Sequence, residues 1–153
     1  MKLAEVLSCN SIVSDITSQD KNGALVELVK CIADQNREIN ENELLKVLLE
    51  REKLGSTGIG DGIAIPHGKL KTIKRLMASF GRSKEGVNFD SMDGKPAHLF
   101  FLLIAPENSV GMHLKILARI SKLLKDDSLR KRLMEVTTEE EIYTIVSEKD
   151  EQY

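Results

Sequence analysis

Four glycines in eight residues, Gly55, Gly58, Gly60 and Gly62, lead into the apolar run Ile63-Ala64-Ile65, which stops at Pro66-His67-Gly68. No other segment restricts the fold as much. Glycine adopts backbone angles closed to other residues, so 55–62 reads as a loop whose backbone other groups can approach closely. Pro66 fixes its own φ, and Gly68 lets the chain turn sharply after the histidine. An imidazole at such a strand end is aimed by the backbone and is expected to be reachable from solvent.

The periodicity on either side of this stretch differs. Before it, Leu25, Leu28, Val29 and Ile32 recur at helical spacing over residues 21–35, with Asp20 or Asn22 as the cap. A second helix is predicted from Asn40, with Glu43 three residues on and Leu44, Leu45, Leu48 and Leu49 as its buried face. A short helix carrying Leu3, Val6 and Leu7 and a brief extended piece at Ile12-Val13 fill the first twenty residues. After the glycines the period changes. Ile63–Ile65, Leu76–Phe80 and Leu99–Ile104 read as strands, the last apolar throughout, as in a central strand covered on both faces. Phe89–Pro96 is rich in turn residues. A long helix is expected from about Val110 to Lys125, with Leu114, Leu117, Ser121 and Leu124 on one face. Shorter helices follow near 128–135 and 139–148, the latter opened by a Thr138/Glu141 capping box. Helices before and after a strand-rich middle imply one α/β domain over residues 1–153, a sandwich with a mixed central sheet flanked by helices on both faces.

Charge and composition narrow the function. Lys and Arg number 22 and Asp and Glu 24, a near balance that argues against nucleic acid as a partner. Tryptophan is absent and aromatic residues are 4%, so platforms for stacking bases are not expected. No apolar run is long enough to cross a bilayer, and Met1–Val6 lacks the apolar core of a signal peptide. Cys9 and Cys31 have no CxxC spacing, which fits a reducing compartment and a cytoplasmic location. No metal and no cofactor are expected.

Three histidines could carry chemistry. His98 begins an apolar strand and reads as structural. His113 falls in the first turn of the long helix, where it is either a solvated helix-start residue or a group facing an anion, since free N–H groups and the dipole gather negative charge there. His67 is either a turn histidine bonded to nearby backbone or a neutral nucleophile at cellular pH. The glycine stretch is neither a Walker A loop nor a GxGxxG fingerprint. It offers a backbone nest for an anion at Gly58, Gly60 and Gly68, with hydroxyls on Ser56 and Thr57, or it simply connects helix to strand. Arg51 is either ordinary cation placement at a helix C-terminus or a guanidinium folded toward the histidine to clamp phosphate oxygens. Nucleophilic imidazole, second histidine, arginine and anion nest together suit phosphoryl transfer through a phosphohistidine, with another protein as donor. A metal hydrolase on His67, His113 and Asp61 is disfavoured, because no metal-ligand spacing such as HExxH is present.

Arg51–Gly68 resembles the active-site signature of EIIA domains of the fructose–mannitol class of the bacterial phosphoenolpyruvate-dependent sugar phosphotransferase system, which includes the nitrogen-regulatory EIIA proteins. The resemblance continues through Phe80–Gly86, Asp90–Pro96 and His113–Ala118 and covers nearly the whole chain. It implies a mannitol EIIA-like fold and a relay in which phospho-HPr, or its nitrogen-system counterpart, donates to His67 at Nε2 and an EIIB domain accepts. His113 matches the second active-site histidine and Arg51 the signature arginine, both holding the phosphoryl group. The chain is expected to be a free-standing EIIA without membrane insertion of its own. Phe80–Lys84 and Asp90–Pro96 are more similar to fructose-type sequences, which favours sugar uptake. Gly-Ser-Thr-Gly-Ile-Gly is also common in nitrogen-regulatory forms, so the alternative is a module whose phosphorylation state selects its regulatory protein targets.

Overall fold

A computed structural model describes residues 2–152. The chain runs through a 3₁₀ turn (Leu3–Glu5), β1 (Leu7–Val13), α1 (Lys21–Gln35), α2 (Glu41–Lys53), β2 (Gly58–Gly60), β3 (Ile63–Ala64), β4 (His67–Leu70), β5 (Met77–Val87), β6 (Ala97–Pro106), α3 (Val110–Leu124), α4 (Asp127–Glu135) and α5 (Glu139–Asp150). The helix starts follow local chemistry. Asp20, Asn40, Asp126 and Thr138 each accept a hydrogen bond from a backbone N–H in the first turn of the helix they precede. Thr138 and Glu141 form the expected capping box. Of the two caps proposed for α1, Asp20 is the one used.

Among the described residues the sheet runs β1-β5-β6-β3-β2, with β4 also on β6. It is mixed: β1 lies parallel to β5, β5 antiparallel to β6, and β3 and β4 both parallel to β6. Strand β6 is the hub. Leu99, Phe101, Leu103 and Ala105 enter the core beneath α3, α4 and α5. Phe100, Leu102 and Ile104 enter the other core, beneath α1 and α2. Alternation along one wholly apolar strand therefore feeds two cores, which is what helices on both faces of a sheet require.

The first strand departs from expectation. Of the residues read as a first short helix, Leu3 lies in the 3₁₀ turn Leu3–Glu5 and Val6 is its C-cap, whereas Leu7 opens the strand Leu7–Val13 that pairs with β5. Leu7 and Ile12 bury their side chains in the same core as the turn that precedes them, so tertiary pairing overrides the weak helical spacing. Strand β5 also runs past Phe80 to Val87. The polar stretch Gly81–Gly86 hid this extension, because Arg82 and Ser83 are fully buried despite their polarity.

Helix α3 is rotated by one position from the face read in the sequence. His113, Ile116, Ile120, Leu123 and Leu124 are buried, whereas Leu114 is 62% exposed. The two candidate rows lie about 100° apart on the helix and both carry leucines, so periodicity alone did not separate them.

Candidate active site

Strands β3 and β4 lie end to end along β6, separated by Ile65 and Pro66. Proline has no N–H to give a ladder, and its carbonyl accepts from Leu103 N at 3.0 Å. The break delivers His67 as the first residue of β4, opposite Leu103 and so on the α3 face of the sheet. His67 Nδ1 lies 2.8 Å from the Ile65 carbonyl oxygen. A carbonyl only accepts, so Nδ1 carries the proton and Nε2 keeps its lone pair. Burial pushes the His67 pKa below its ordinary value of 6.5; the Ile65 hydrogen bond opposes this, and the nearby Arg51 charge adds to the lowering. The ring is a neutral base at neutral pH with Nε2 as its nucleophilic atom.

His113 meets it from α3. The two ring centroids are 5.5 Å apart with planes at 86°. His113 is 6% exposed, and its Nε2 is buried without a hydrogen-bond partner among the described residues. A buried polar atom left unpaired costs roughly 1–3 kcal/mol, so such a group calls for an explanation. Burial also lowers its pKa, helped by His67 and Lys69. Of the two readings of His113, the solvated helix-start residue does not hold. The N-terminus of α3 has no side-chain cap; Ser109 Oγ turns back to the Pro106 carbonyl.

Arg51 closes α2, and its Nη1 donates to the Gly55 carbonyl at 2.9 Å. One donor of five is thereby fixed. Gly68 follows His67 in β4, where a Cβ would stand 2.7 Å from Val47 Cγ1 of α2. Its bareness lets α2, and with it Arg51, pack against β4.

The glycine stretch is more structured than a bare loop. Gly58 and Gly60 form β2, antiparallel to β3. Ser56 Oγ donates to the Phe89 carbonyl at 2.7 Å, and Thr57 Oγ1 donates to the Glu52 carboxylate. Both hydroxyls expected to face an anion are thus engaged inside the protein. Asp61 sits at the β2–β3 turn with φ 57° and receives no third metal-ligating neighbour among the described residues. His98 Nδ1 donates to the Ser83 carbonyl, 2.9 Å away.

Sequence reading passed over Glu52 and Lys21. Glu52 is buried and pairs with Lys21 at 3.0 Å. The available signal was a carboxylate in the last turn of a helix, where the dipole disfavours it unless a cation answers.

The description "Phosphoenolpyruvate-dependent sugar phosphotransferase system, EIIA 2" matches residues 5–149. The fructose-specific EIIABC component of Bacillus subtilis is 40% identical over 151 residues, covering 98% of this chain but only 24% of that protein's length. The nitrogen regulatory protein IIA-Ntr of Neisseria meningitidis superposes with a TM-score of 0.86 at 36% identity, over 94% of this chain and 98% of that one. Mannitol enzyme IIA, in its complex with phosphorylated mannitol enzyme IIB from Escherichia coli, superposes with a TM-score of 0.78 over 94% and 99% of the two chains. At 22% identity it speaks for the fold alone. The chain belongs to the EIIA 2 family of the phosphoenolpyruvate-dependent sugar phosphotransferase system.

Proposed function

We propose that this protein is a phosphoryl carrier that takes a phosphoryl group from phospho-HPr, or from its nitrogen-system counterpart, onto His67 and passes it to an EIIB domain. The observation that carries the reading is the pairing of a locked, neutral His67 with the buried, unpartnered Nε2 of His113.

The chemistry follows from that pairing. The lone pair of His67 Nε2 attacks the phosphorus of the donor phosphohistidine. The new N–P bond forms as the donor N–P bond breaks, and the donor imidazole leaves with that electron pair. His67 then carries phosphorus on Nε2 and a proton on Nδ1, so the ring is formally cationic. The Ile65 carbonyl stabilises that Nδ1–H, which is a charge-assisted hydrogen bond once the ring is charged. Charge in this reaction spreads over three equatorial oxygens and needs positioned donors more than covalent help. His113 Nε2 gains its missing partner there, and Arg51, whose charge acts on His67, has further donors to offer the same oxygens. The uncapped α3 N-terminus adds a favourable dipole. Forward transfer to EIIB reverses the sequence, with His67 leaving as the neutral ring it began as. No cofactor or metal enters any of these steps.

Partners approach over apolar surface. Leu54 beyond Arg51, and Val110, Met112 and Leu114 around His113, are all exposed. An apolar rim of this sort suits a small, transient protein contact.

Incubation with phosphoenolpyruvate, Enzyme I and HPr tests the reading. It predicts an acid-labile, base-stable phosphate on the wild-type chain. A His67→Ala variant that still accepts the label refutes the assignment. A second reading, a regulatory module, is supported by the likeness to IIA-Ntr. In that case phosphate enters, a fructose-type EIIB cysteine does not receive it, and binding to a target protein differs between the two phosphorylation states.

A further inference from the structure

We propose that Glu52 is a positioning residue for this site, holding the Arg51 guanidinium in place by pinning the loop that Arg51 leans on. The inference rests on the phosphoryl-carrier reading and extends it to a residue outside the reacting atoms.

Among the described residues, the hydrogen bond that steadies the Arg51 side chain runs to the Gly55 carbonyl. Gly55 has φ 139° with open space where a Cβ would stand, and its N–H donates to the Glu52 carbonyl at 3.1 Å. The next pair of residues adds to that hold. Thr57 gives both its backbone N–H, at 3.1 Å, and its hydroxyl to the two oxygens of the Glu52 carboxylate. Ser56 is anchored at the same time to the Phe89 carbonyl, and Gly58 N donates to Ser56 Oγ at 3.0 Å. The loop is therefore tied down immediately after the residue that holds Arg51.

The carboxylate is in turn held by charge. Lys21 Nζ stands 3.0 Å from Glu52 Oε1, 3.5 Å from Asp90 Oδ2 and 5.0 Å from the centre of the Phe89 ring. Lys21 belongs to α1 and Phe89 to the segment after β5, so three parts of the fold converge behind one loop. Buried ion pairs often add little to stability over apolar packing, and their best-attested use is to specify one arrangement. Here the arrangement specified is that of the loop beside Arg51. A guanidinium misplaced by an ångström loses much of its hold on a developing phosphoryl charge.

The experiment is rapid-mixing transfer from phospho-HPr to the full chain carrying Thr57→Val, Thr57→Ser or Glu52→Gln, each also in an Arg51→Ala background. Thr57→Val and Glu52→Gln are expected to slow transfer at saturating donor about tenfold with little change in KM, the scale of one displaced charged donor. Thr57→Ser keeps the hydroxyl and restores the rate to within about twofold. In the Arg51→Ala background the same substitutions are expected to cost nothing further, because a residue acting through Arg51 has nothing left to position. Backbone amide spectra of β5 and β6 report that each variant is folded, and Thr57→Ser serves where Thr57→Val is not. Equal losses in both backgrounds, or no loss in either, overturn the assignment of Glu52 alone. A wild-type chain that takes no phosphate overturns the carrier reading beneath it.

Discussion

His67 and His113 stand edge to face, ring centres 5.5 Å apart and planes at 86°, one from a strand that starts after a proline and the other from the first turns of a helix. The rings differ in what they lack. His67 has its Nδ1 committed to the Ile65 carbonyl, whereas His113 Nε2 is buried with no partner. On the carrier reading proposed above, His67 forms a bond at Nε2 and His113 receives what that bond brings.

Replacing His113 separates donor chemistry from packing. His113→Leu fills the space but cannot donate, and transfer to His67 is expected to fall by about 10²-fold, the usual cost of one lost donor to a developing oxyanion. His113→Gln keeps an N–H₂ and is expected to recover part of the rate. His113→Leu should unfold at no lower denaturant concentration than wild type, because it removes an unpaired buried polar atom. Single-turnover labelling and urea unfolding of the same samples check both statements.

The pH dependence has a fixed sign. Both pKa values lie below the ordinary 6.5 in the folded protein, mainly through burial. Between the folded values and about 6.5 the unfolded chain binds more protons, so folding stability is fully present above that window and declines as pH falls through it. Urea midpoints measured from pH 8 to 5 should therefore drop below about 6.5, and the drop should shrink in a His67→Ala, His113→Leu double variant. Transfer to His67 should hold through pH 6.5 and fail only at lower pH, when Nε2 takes a proton.

Gly68→Ala tests how the sheet sets the distance to α2. The added methyl meets Val47 Cγ1 at 2.7 Å, so α2 must shift or strain. A loss of about 1–3 kcal/mol in unfolding free energy is expected, together with slower transfer. Adding Val47→Ala makes room and should recover much of both losses, which a double-mutant cycle measures.

Arg82 predicts a large effect on stability. It is fully buried on β5, and its guanidinium donates to the Ser14 carbonyl at 2.9 Å, to Leu133 O at 3.0 Å and to Val136 O. Arg82→Met leaves those carbonyls, two of them at the end of α4, without donors. A destabilisation of about 3 kcal/mol is expected from chemical denaturation, at the level of several unpaired buried groups.

Removing apolar surface should affect encounter more than chemistry. Leu54 is 84% exposed, so Leu54→Ser is expected to leave stability within about 0.5 kcal/mol. In a titration of phospho-HPr it should raise KM several-fold with little change in the rate at saturation.

The primary structure by itself determined the parts whose causes are local. Asp20, Asn40 and Thr138 cap the helices they precede, because a cap needs only a side-chain oxygen beside free N–H groups. The wholly apolar run Leu99–Ile104 could only be a strand covered on both sides, and Pro66-His67-Gly68 announced a histidine aimed by its backbone. Tertiary structure decided what depends on neighbours distant along the chain. It set which row of α3 faces inward, and so buried His113 beside His67; a leucine on either row made the two choices alike to any local measure. It also gave the Ser56 hydroxyl its partner, the Phe89 carbonyl, which no spacing rule connects to it. Periodicity reports how a segment meets a surface, but long-range hydrogen bonds and ion pairs are fixed only when two surfaces meet.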